Sequence, residues 1–205
     1  GQSMGGMYTN IIGAIEPRIE AVVPTGAGGY WSWFLLETAL IDAPPLVGSL
    51  LQTFVDLTHY HPGLHILQLG WETSEPMVYM PRLSRWPLPG HPQRDVYQPV
   101  GFDDPYFLAP VFDAAALAYG HEQAGSEVWT EMQSALGLVG LEGLLPYPVT
   151  ANRGEYTGVV VQYEGDGILS AHNIFQQLDE VKQQYGHFFE SRLETGRGTV
   201  IEPIP

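Results

Sequence analysis

Gly1-Gln2-Ser3-Met4-Gly5-Gly6 runs straight into Met7-Tyr8-Thr9-Asn10-Ile11-Ile12-Gly13-Ala14-Ile15, and from there to Ile19–Val23 and Pro24-Thr25-Gly26. The first five residues are G-x-S-x-G, the pattern of a sharp strand-to-helix turn that holds a serine hydroxyl up as a nucleophile. Small residues flank the serine because strand and helix crowd such a turn. The pentapeptide is weak evidence by itself, since glycine and serine are common in loops. Its continuation adds weight. Apolar residues at helical spacing over Met7–Ile15, with Gly13 and Ala14 as small packing positions, predict a helix. Glu16-Pro17 should stop it. Ile19–Val23 then reads as a short strand with a Gly-rich exit.

Residues 30–71 are unusually apolar. Leu35, Leu36, Ala39 and Leu40 suggest one helical stripe. Leu46, Leu50, Leu51, Phe54, Val55 and Leu57 suggest another, with Pro44-Pro45 between them. Helices here could form a wall over a site, with Trp31, Trp33 and Phe34 as candidate substrate contacts, or could pack as ordinary core. Pro81–Pro92 reads as a connecting loop, Asp95–Val100 as a buried strand, and Leu108–Tyr119 as a helix capped by Gly120. A further helix is expected within Ser126–Leu141, and Pro146–Glu155 reads as a loop. Gly158–Tyr163, three valines bounded by turn residues, is the strongest strand signal. Asn173–Leu193 reads as one long amphipathic helix with Phe175, Leu178, Val181, Tyr185 and Phe189 along one side.

A serine hydroxyl needs a base within hydrogen-bond reach, and the base needs an orienting carboxylate. Gly101-Phe102-Asp103-Asp104-Pro105 follows the Asp95 strand and offers either Asp103 or Asp104, each of which could instead only shape an Asp-Pro turn. Glu164-Gly165-Asp166-Gly167 follows the Gly158 strand and leads to His172, just before the last helix. Asp166 is a second candidate carboxylate, although it lies close in sequence to His172. His187 should pack or face away within the final helix. His121 follows a helix end, where a cation would suit the dipole. His61 and His65 have the i, i+4 spacing of some zinc sites, but Pro62-Gly63 interrupts the pair. With His59 they read as caps or packing residues, and no metal is expected.

The chain has 205 residues, 44% of them hydrophobic, which suits one domain or most of one. It contains no cysteine, which excludes disulfides, thiolate catalysis and cysteine metal sites. Its formal net charge of −15 would repel phosphate backbones and anionic headgroups, so nucleic acid is a poor partner. No long apolar run marks an integral membrane segment. Few charges, 15%, beside 12% aromatic residues suit a neutral, apolar substrate. The compartment stays open, and a secreted or periplasmic one is compatible.

In order, GQSMGG, IEAVVPTGAGG, VGFDDPYFLAP and YEGDGILSAHNIFQ resemble the α/β-hydrolase superfamily, and within it bacterial lipase- and esterase-like proteins. The resemblance implies an α/β-hydrolase fold, a mostly parallel sheet flanked by helices with a helical cap insertion. Residues 1–29 would hold elbow, helix and core strand, 30–93 the cap and a loop, and 94–205 the strands and helices carrying acid and base. It implies Ser3 as nucleophile, Asp104 as acid through the family's G-x-x-D, His172 as base and the Met4 N–H as one oxyanion donor. It implies a carboxylic-ester hydrolase without cofactor, although peptidases, acyltransferases and inactive binding proteins share the pattern. Strands should precede the elbow in such a fold. The chain is therefore expected to be the C-terminal half, with the N-terminal half as its partner, and to act on a small-molecule or lipid ester. The GILSA stretch before His172 departs from relatives that place the histidine nearer the glycine.

Overall fold

The structure, a computed structural model, describes residues 1–51 and 57–204. Helix α1 (Met4–Ile15) leads to strand β1 (Ala21–Val22), then come α2 (Trp31–Glu37), α3 (Ala43–Leu50), α4 (Pro62–Trp71), a 3₁₀ turn at Glu72–Ser74, and α5 (Pro76–Leu83). Strand β2 (Asp95–Gly101), α6 (Ala109–Tyr119), β3 (Glu122–Ala124), α7 (Glu131–Gly137), β4 (Leu144–Leu145), β5 (Val149–Thr150) and β6 (Gly158–Tyr163) follow. The chain continues through a 3₁₀ turn at Ala171–Asn173, α8 (Ile174–Gln177), α9 (Asp179–Thr195) and β7 (Thr199–Val200). The fold is α/β.

The main sheet has five strands in the order β1-β2-β6-β3-β4, and every pair is parallel. β5 and β7 form a separate antiparallel pair. β2 and β6 are buried along their whole length, as strands covered on both faces must be. Alternation along them sorts the layers. Val96 and Val100 of β2 and Val160 of β6 face α1, α5, α6 and α7. Tyr97, Val159, Val161 and Tyr163 face α8, α9 and the β5–β7 pair. The register joins like with like, Tyr97 beside Val159 and Val100 beside Gln162.

Pro99 sits inside a central strand, where a missing N–H normally costs a ladder bond. The donors of Val96 and Phe102 go to Thr157 and Tyr163 on the β6 side. By alternation the Pro99 nitrogen faces the β1 side, where β1 has already ended at Val22.

The segments around the site match expectation. α1 ends at Glu16, which is extended, and Gly120 closes α6 in the left-handed region at φ 72°. β1 forms but holds only two residues.

Several expectations change. The α2 stripe stops early: Thr38 is extended, and Ala39 and Leu40 lie beyond the helix. Pro44 and Pro45 do not separate two helices. They lie in the first turn of α3, where a proline loses no intrahelical bond. Phe54 and Val55 lie outside the described residues. Pro81 is helical, inside α5, because the chain stays wound until Ser84. α5 itself belongs to the layer on the sheet: Met80 and Leu83 are buried with Ala14, Val96 and Tyr119. α2, α3 and α4 form a smaller cluster of their own around Ala43, Val47 and Leu64. Pro146–Glu155 is not all loop, since β5 lies within it and pairs with β7.

The final helix is broken at Leu178, which is extended at φ −95°, ψ 121°. Its buried residues are Val181, Gln184, Phe188 and Ser191: Val181 is buried as expected, Leu178 and Tyr185 pack partly buried against the same core, and Phe188 rather than Phe189, 41% exposed, closes the face. Gln184 is buried because Tyr97 and Tyr163 both donate to its side-chain oxygen.

Candidate active site

The elbow is built against the exit of β1. Gln2 bridges Thr25 in parallel, Thr25 N–H donates to Gly1 O at 2.8 Å, and Ser3 N–H donates to Thr25 O at 3.0 Å. Ser3 then turns with φ 56°, ψ −126°, a conformation a non-glycine residue rarely adopts. The motif's glycines are not equivalent. A Cβ on Gly1 would strike Thr9 Oγ1 and Gly5 O, and one on Gly6 would strike Ala27 Cβ, whereas one on Gly5 would meet open space. Gly1 and Gly6 therefore permit the close packing of α1 on the following loop. Met4 opens α1, so its N–H has no intrahelical acceptor. The Met4 side chain is exposed.

Asp104 follows β2 and is 1% exposed. Its Oδ1 accepts from Tyr106 N–H at 2.8 Å and Phe107 N–H at 3.1 Å, which shapes the turn into α6. Its Oδ2 lies 2.8 Å from His172 Nδ1. One oxygen shapes the turn and the other meets the imidazole. Asp103 is exposed, with φ 58°, and does not reach the imidazole. Asp166 is also exposed, and its Oδ1 is taken by the N–H groups of Ile168 and Leu169. It shapes its own loop and does not orient His172.

His172 is 6% exposed, in the 3₁₀ turn before α8. Tyr106 meets its ring edge-on at 4.6 Å, and Phe107 stacks beside it at 6.0 Å. An ionised Asp104 can only accept, so Nδ1 carries a proton, and in the neutral imidazole Nε2 then has the free lone pair. Among the described residues neither His172 Nε2 nor Ser3 Oγ has a hydrogen-bond partner. The base loop crosses the end of β2, where a Cβ on Gly101 would collide with Ala171 O.

The three aromatic residues of α2 reach the site unequally. Phe34 lies 5.1 Å from Phe107, the ring that stacks on His172. Trp31 packs edge-on against Phe34, and its Nε1 donates to Ser74 O at 3.1 Å. Trp33 stacks on His59 at 3.8 Å, one ring further out, and its buried Nε1 has no partner among the described residues. Beyond α2, Ala39 N–H donates to Pro105 O at 2.8 Å, tying this segment to the loop of Asp104.

Two functional positions carry no signal of their own in the sequence. Gln2 donates from Nε2 to His172 O at 2.6 Å and accepts from Thr25 Oγ1 at 2.6 Å. It stands inside the quoted motif, at a position that tolerates many residues. Glu75, 2% exposed, accepts from Tyr30 N–H, Trp31 N–H, Met77 N–H and Gln68 Nε2. It caps α5 and at the same time satisfies the first donors of α2.

His121 does not act as a cation at a helix end. It is fully buried against Tyr119, both ring nitrogens lack partners among the described residues, and burial lowers its pKa to about 3. Among the described residues no group of three or more ligating side chains could hold a metal ion. His61 caps α4 by accepting from Gly63 N–H, and His59 pairs with Glu37. No helix among the described residues is long and apolar enough to cross a membrane.

A cavity of ≈ 770 Å³ lies elsewhere, at the carboxyl ends of β3, β4 and β6, lined by Glu127, Tyr147, Tyr163, Glu164, Glu180 and Glu202 among others. Ser3, Asp104 and His172 do not line it. No protein-family model, curated protein or solved structure matches this chain.

Proposed function

We propose that this chain carries the catalytic residues of an α/β-hydrolase that cleaves carboxylic esters through an acyl-enzyme. The observation that carries the reading is the buried contact of Asp104 Oδ2 with His172 Nδ1 at 2.8 Å, on a base loop fastened to the Ser3 elbow. Ser3 Oγ attacks the ester carbonyl as His172 Nε2 takes its proton. Asp104 holds the imidazole tautomer and stabilises the imidazolium. The Met4 N–H, at the positive end of α1, faces the developing oxyanion. His172 then protonates the leaving alcohol, and water releases the acid. Phe34 and Trp31 form the wall for the acyl group, with Trp33 outside them.

A second reading is a non-catalytic binding protein of the same fold. It is favoured by the cavity at the carboxyl ends of β3, β4 and β6, which lies apart from Ser3. Intact mass after treatment with a fluorophosphonate separates the two. A single adduct on Ser3, lost in Ser3→Ala and in His172→Ala, supports the hydrolase. Well-folded protein without an adduct favours the binding protein.

A further inference from the structure

Ser3 and His172 sit on different loops, and their relative placement decides whether a proton can pass between them. The elbow is tied to the exit of β1 through Gly1, Ser3 and Thr25. The base is tied to the end of β2 through Asp104. Among the described residues only one hydrogen bond joins the elbow to the base loop, Gln2 Nε2 to His172 O at 2.6 Å. The stretch preceding the base turns Ile168 and Leu169 to solvent, 84% and 48% exposed, and its hydrogen bonds run within the loop and to Gln177, not to the elbow.

The orientation of the Gln2 amide is fixed by its partners. The Thr25 hydroxyl lies 2.6 Å from Oε1 and donates to it, which leaves the NH₂ group for the His172 carbonyl. Gly26, at φ 46°, packs beneath this knot. A Cβ there would lie 3.0 Å from Gln2 Nε2, 3.0 Å from His172 O and 3.3 Å from His172 Nδ1. The Thr25–Gly26 segment and the His172 carbonyl therefore converge on one side-chain amide.

We propose that Gln2 is a positioning residue that sets the distance between Ser3 and the His172 imidazole by holding the base through its own backbone carbonyl. The inference rests on the hydrolase reading above for its catalytic meaning, and on the hydrogen-bond geometry alone for its structural meaning. Gln2 touches no reacting atom. Its effect should fall on the rate of the chemical step, because a displacement of about 1 Å between nucleophile and base can cost about 100-fold.

Gln2→Met keeps the length of the side chain and removes the donor. Gln2→Glu keeps the bond from Thr25 and, when ionised, cannot donate to His172 O. Both are compared with the parent at pH 8 by two measurements. The first is the rate of fluorophosphonate labelling at Ser3, with the thermal midpoint recorded alongside. The second is the His172 Nδ1–H proton resonance and its exchange with solvent, which needs no activity. The expected result is labelling slowed about 10- to 100-fold in both variants, a thermal midpoint within a few degrees of the parent, and a faster-exchanging Nδ1–H signal. An unchanged exchange rate in folded Gln2→Met and Gln2→Glu overturns the proposal, whatever the labelling does. If the parent itself does not label, the hydrolase reading fails, and the exchange measurement still decides whether Gln2 positions the imidazole.

Discussion

Asp104 divides one carboxylate between a turn and an imidazole, and the two tasks can be separated. In Asp104→Asn the remaining oxygen can still accept from Tyr106 and Phe107 N–H, as Oδ1 does now. The new amide NH₂ would face His172 Nδ1, which must then accept. That moves the ring proton to Nε2 and abolishes the base. Ser3 labelling should fall by about four orders of magnitude while the thermal midpoint moves by only a few degrees. Labelling within tenfold of the parent would remove Asp104 from the proposed triad. Residue types alone left both Asp103 and Asp104 open as the proposed acid, and only the family resemblance favoured Asp104. Adjacent residues differ only in the direction the backbone gives them. Here Asp103 takes φ 58° and turns outward, so its neighbour points into the protein.

At the scale of elements, α2 depends on a residue far from it in sequence. Glu75 accepts from Tyr30 and Trp31 N–H at the start of α2 while capping α5 through Met77 N–H. Gly29 lies so close that a Cβ there would strike the Glu75 carboxylate. Glu75→Ala leaves several buried donors unpaired and should cost about 3 kcal/mol. The loss should be felt first in α2, since α2–α4 form their own small cluster. Tryptophan fluorescence from Trp31 and Trp33 is expected to change before the far-ultraviolet circular dichroism does on heating. A single coincident transition, unchanged from the parent, would show that Glu75 does not anchor the helix. Periodicity in the sequence reported an apolar helical segment here but not where its helices end. Thr38 stops α2 because the chain turns to meet Pro105, a long-range contact that leaves no local mark. The break at Leu178 is of the same kind. Local pattern runs through it, and the phase of α9 is set by Tyr97 and Tyr163 meeting Gln184.

For the whole molecule, His121 couples stability to acid. Burial lowers its folded pKa to about 3, against about 6.5 in the unfolded chain. Its contribution is complete above pH 6.5 and is lost progressively as the pH falls towards 3, because only the unfolded chain takes up the proton in that window. At pH 5 the loss is about 2 kcal/mol. His121→Phe, which keeps a ring beside Tyr119, should flatten the dependence of urea stability on pH between 6.5 and 4. An unchanged slope would show that His121 is protonated in the folded state.

The sequence by itself determined the strands and helices whose signals are local. The valines of β6, the small residues of the elbow and the Gly120 cap act within a few residues of themselves. It also determined the order of Ser3, Asp104 and His172 along the chain. Tertiary structure decided which groups meet. The order β1-β2-β6-β3-β4 brings the loops after β2 and β6 side by side, although 68 residues separate Asp104 from His172. It also places Gln2 against the His172 carbonyl, 170 residues away. Hydrogen bonds of this kind depend on strand register and on the space glycine leaves at Gly26 and Gly101. Neither is written in the composition or the period of any single segment.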